Sequence, residues 1–82
     1  MSNINFKKES YRGGFSITPS DTVNFTDPCS AIYVGGAGNI VIVSDSGDVI
    51  TLLAVPVGTI LPIAATRVNS TSTTATNLVA LK

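Results

Sequence analysis

The chain has 82 residues, of which 44% are hydrophobic and only 12% charged, with five basic and five acidic residues balancing to zero. That length fits one domain; a single cysteine excludes an intrachain disulfide, the absence of histidine argues against a zinc site, and neutrality gives no electrostatic reason to bind nucleic acid. A chain of this size buries only about three-fifths of its unfolded surface. With neither disulfide nor metal to staple it, self-association is the expected source of further stability.

Residues 1–14 hold Lys7, Lys8, Glu9 and Arg12, end in Gly13-Gly14 and lack period-2 or period-3.6 patterning. They are expected to form an arm, flexible or docked on a partner, ahead of a β domain spanning residues 15–82. Phe6 and Tyr11, interleaved with Lys7, Lys8 and Arg12, are the candidate contacts to a neighbouring subunit. Three cations offset by Glu9 are too few for useful nucleic-acid affinity. No apolar signal segment follows Met1, and the charge-free stretch from Val49 to Ala65 is broken by Pro56, Gly58 and Pro62. The expectation is therefore a protein made in a cytoplasm that does not cross a membrane.

Beyond the arm the chain reads as strands and turns. Phe15 to Thr18 is a short first strand, closed by Pro19-Ser20-Asp21. Thr22 to Thr26 alternates Val23 and Phe25 with polar residues, the period of a half-buried strand, and Asp27-Pro28 breaks it. Ala31 to Val34 is a third strand. The run from Gly35 to Asn39 reads as a turn. Ile40 to Val43, four β-branched residues in a row, reads as a strand buried on both faces. Asp45 to Asp48 is a compact turn into Val49 to Leu53, and together they make the clearest hairpin. Val57 to Ile63, with Pro62 inside, fits an edge strand that Val68 continues after a bend; Asn69 to Thr74 is a loop and Asn77 to Leu81 the last strand.

Six or seven short strands without helical spacing give an all-β fold class, a small antiparallel β-sandwich or jelly-roll-like barrel. The expected core is Val23, Phe25, Ile32, Val34, Ile40, Ile42, Ile50, Leu52, Ile60 and Val79, with inward faces open to a one-residue slip.

Chemistry-bearing patterns are sparse. Gly35-Gly36-Ala37-Gly38 has Val41 where the dinucleotide fingerprint needs its third glycine, and no helix follows to hold a phosphate. The run therefore reads as a tight turn. Asp21, Asp27, Asp45 and Asp48 stand at turns, where Asp bonds its own backbone, and the only Glu is Glu9, so no calcium loop closes. Cys29 lacks a histidine base and reads as a small buried residue. No catalytic, metal or cofactor site is expected, and the chain is read as a non-enzyme.

Four blocks stand in order: Thr18-Pro19-Ser20-Asp21-Thr22-Val23, Ala31-Ile32-Tyr33-Val34-Gly35-Gly36-Ala37-Gly38, Val55-Pro56-Val57-Gly58-Thr59-Ile60-Leu61-Pro62 and Thr73-Thr74-Ala75-Thr76. In them the chain resembles the small head spike base proteins of tailed bacteriophages and gene transfer agents, over roughly residues 15 to 82. The resemblance implies a β-sandwich virion protein that sits on the capsid surface as a spike base, decoration or cement subunit. Its implied partners are copies of itself, as a trimer to hexamer, the major capsid protein and a spike or fibre protein. A tail, neck or baseplate component is the alternative within the same biology. A carbohydrate-binding adhesion module is the alternative outside it, weakened by the lack of Trp and by reading Phe25 and Tyr33 as core.

Overall fold

The computed structural model describes residues 11–82 as seven strands and no helix. They are β1 (Gly14–Ser16), β2 (Ala31–Gly36), β3 (Gly38–Ser44), β4 (Val49–Val55), β5 (Ile60–Leu61), β6 (Ala65–Val68) and β7 (Thr76–Leu81). One antiparallel sheet has the order β1-β7-β2-β5 and the other β4-β3-β6. Their inner faces meet in one core: Ile32, Val34, Leu78 and Ala80 from the first sheet against Ile40, Ile42, Val55 and Val68 from the second. The fold is an all-β sandwich.

The β-branched run behaves as its composition requires. Ile40 and Ile42 are fully buried against the opposing sheet, while Val41 and Val43, on the other face of β3, are 7% and 9% exposed. Central strands flanked on both sides tolerate apolar residues on both faces. β4 is an edge strand, so Ile50 and Leu52, although paired beside Ile42 and Ile40 on the inner face, are only half-buried.

Five expectations are corrected. Thr22 to Thr26 is not a strand. Ser20 Oγ accepts the N–H groups of Thr22 and Val23, which curls the chain, and Val23 is 66% exposed. This connection instead runs along the outer edge of β6: Ser20 N–H donates to Val68 O, Phe25 N–H to Thr66 O and Cys29 N–H to Ala65 O. Within residues 22–26 only Phe25 turns inward, meeting Phe15 edge-on at 5.2 Å.

Second, the strand around Ile60 slips by one residue: Ile60 pairs with Tyr33 on the outer face and is 49% exposed, while Leu61 packs on the core. Third, β7 turns Leu78 and Ala80 inward in place of Val79. Asn77, at φ 52°, sits in the left-handed region beside Leu78 and interrupts the even alternation. Tyr33 is the fourth, lying on the outer face at 36% exposure rather than in the core. Fifth, Val68 belongs to β6 in the opposite sheet and does not prolong β5.

The β6–β7 loop completes the second sheet. Asn69 N–H donates to Val41 O, Val41 N–H to Thr73 Oγ1 and Asn39 N–H to Thr74 Oγ1, so hydroxyls extend the ladder where β6 stops. Asp21 holds the loop from the other side, accepting Thr71 N–H at 2.9 Å and the Thr71 hydroxyl. Those bonds, the hydroxyl one above all, lower the Asp21 pKa below its ordinary 3.8. A folded pKa below the unfolded one contributes stability that is present above about pH 4 and lost as pH falls through the folded value. Thermal melts are expected to show this acid loss reduced in Asp21→Ala; an unchanged pH profile would contradict the tie.

β4 carries a bulge: between Gly38↔Val55 and Ile40↔Leu52 it has one residue more than β3, and Ala54 takes φ 53°. Ala54 N–H is held by Asn39 Oδ1 at 2.9 Å. A left-handed conformation costs an L-residue about 1–2 kcal/mol. Gly relieves that while losing some backbone entropy. Ala54→Gly is therefore expected to be neutral or stabilising by about 0.5 kcal/mol in urea melts. A loss above about 1 kcal/mol would show that the methyl group matters.

Candidate interaction surfaces

The described residues hold no pocket for a small molecule and no cluster of three metal-ligating side chains. Cys29 is 2% exposed, and burial pushes its thiol up, away from the thiolate a nucleophile needs. The outer faces of the two sheets carry exposed apolar side chains.

Across the outer face of the first sheet, one row runs Ser16, Val79, Tyr33, Ile60, set by the pairings Ser16↔Val79, Tyr33↔Val79 and Tyr33↔Ile60. Leu81, between Gly14 and Ala31, forms the next row. No charge interrupts either row. In the seven strands the one charged side chain is Arg67, which lies on the second sheet with Nε on Asn69 Oδ1 and Nη1 on Asn24 Oδ1. On that sheet Val49 is 64% and Leu53 71% exposed, both on β4. Surfaces this short of charge are characteristic of faces that meet other subunits.

Of the contacts expected from the sequence, Phe6, Lys7 and Lys8 lie outside the described residues. Tyr11 is 38% exposed and Arg12 is exposed. The Arg12 and Gly13 N–H groups both donate to Lys82 O, and Lys82 N–H donates to Gly13 O, so the chain enters the fold clamped to its other end. Lys82 also pairs with Asp27 at 3.1 Å and sits 5.8 Å from the centre of the Phe15 ring. The exposed row around Tyr33 was missed because its signal, alternation on β2, is the same for either face until the partner strands are known.

No family model and no curated protein matches the sequence. Among solved structures, the chain is similar to one from the capsid of a native GTA particle computed with C5 symmetry. The two are 29% identical with a TM-score of 0.78, over 94% of this chain and 96% of that one. The likeness spans nearly all of both chains.

Proposed function

We propose that this chain is a structural protein of a phage-type virion, a repeated subunit on the capsid surface acting as a spike base, decoration or cement protein. The observation that carries the reading is the near end-to-end likeness to a chain of a GTA capsid. The charge-poor outer faces and the lack of a pocket among the described residues support it, because such a module offers contact area and little else. Its partners in this reading are further copies of itself, the major capsid protein beneath it and a spike or fibre above it.

Purified chain added to capsids from a producer lacking its gene should bind saturably, with a stoichiometry set by the particle's symmetry. Failure to bind under conditions where authentic particles keep the protein would overturn the proposal.

A further inference from the structure

Three of the four sheet edges are short or covered among the described residues. β1 has three residues and β5 two, and the outer edge of β6 is occupied by the Ser20–Cys29 connection. β4 is the exception: seven residues, no charge, and no strand on its far side. Val41 directs its N–H and C=O toward the β6 side, and Ser44 N–H donates to Asp48 O. By antiparallel alternation, the N–H and C=O groups of Val49, Thr51 and Leu53 then face away from β3. A long apolar edge of this kind templates another strand.

We propose that the free edge of β4 receives the N-terminal segment of a second copy of this chain, laid antiparallel along it. Two observations choose this occupant. The first is where the segment starts. Ten residues precede Tyr11, and the chain leaves them beside β1, whose continuation through Ser20 covers β6. β6 is the edge of its sheet opposite β4, so the chain enters the fold on the side away from that free edge. A neighbouring copy can place its β4 edge directly beside that point of entry.

The second is charge. Asp45 and Asp48, in the turn that opens β4, have no cationic partner among the described residues, whose ion pair is Lys82 with Asp27. The antiparallel direction sets Lys7 and Lys8 beside that turn. The contact is head-to-tail, so repeating it generates a ring when the rotation closes.

The inference rests on the reading of the chain as a repeated subunit, but its test needs no particles. Deletion of residues 1–10 keeps the edge and loses the segment; Thr51→Pro keeps the segment and removes an outward N–H from the edge. Leu53→Lys does the same work with the ladder untouched. In sedimentation velocity the intact chain should assemble, each variant alone should associate at least tenfold more weakly, and the deletion mixed with either edge variant should give a 1:1 pair. Asp45→Lys should weaken assembly and be rescued by Lys7→Glu with Lys8→Glu. Oligomers that survive the deletion unchanged would overturn the segment's role while leaving the virion proposal to the capsid-binding test. A monomeric intact chain would overturn the pairing outright.

Discussion

Ile42→Ala is expected to remove about 2–5 kcal/mol of stability, a large share of the roughly 5–15 kcal/mol that holds a domain folded. Ile42 is fully buried at the centre of β3, paired with Ile50 on one side and Val68 on the other. Three methylene-sized groups would leave a void bounded by two hydrogen-bonded strands and the opposing sheet, which cannot collapse without breaking ladders. Val23→Ala is the matched control: 66% exposed, it should cost within about 0.5 kcal/mol. Urea melts on the two variants separate the corrected core from the one expected by periodicity. Equal losses would mean that Val23 is buried in the working assembly.

Gly38→Ala should cost about 3 kcal/mol, from a strained backbone added to an overpacked contact. Gly38 opens β3 at φ 156°, and a Cβ there would lie 2.6 Å from Ala75 N and 2.7 Å from Thr74 Oγ1. Those atoms cannot retreat freely, because Thr74 and Ala75 N–H both donate to Asn39 O and Thr74 Oγ1 accepts from Asn39 N–H. The corner between β2 and β3 is therefore stitched to the β6–β7 loop. Gly47 also has positive φ, 94°, but open space around it. Gly47→Ala should cost only about 1 kcal/mol, and a Gly38→Ala variant no worse than that would show that the loop yields.

That corner joins the ordered blocks of sequence. The glycine run of the second block and Thr74-Ala75 of the fourth meet at it. Gly58 N–H donates to Val34 O and Val34 N–H to Thr59 O, joining the third block to the second. The first block curls at Ser20 to cover β6. Residues far apart in sequence are thus constrained together at the turns, while strand interiors need only be apolar and of suitable size.

β2, the β3–β4 hairpin and the double burial of Ile40 to Val43 were legible in the sequence because composition alone decides them. Thr22 to Thr26 was not, since its alternation meets the strand pattern while a single hydroxyl, Ser20 Oγ, diverts the backbone. The faces of β5 and β7 were lost for another reason. Pairing partners and the left-handed Asn77 fix them, and a one-residue slip inverts a strand at no cost to its pattern. The interaction surfaces were legible only as a shortage of charge. That the free edge falls on β4 follows from the strand order, which no local window contains.

The capsid-surface proposal is tested most directly by counting this chain in purified particles, against the major capsid protein, by quantitative mass spectrometry. A surface subunit at symmetric positions should be present in tens of copies or more. Absence from particles in a host that makes the protein abundantly would contradict a virion role, and about six to twelve copies would contradict the capsid surface in favour of a tail ring.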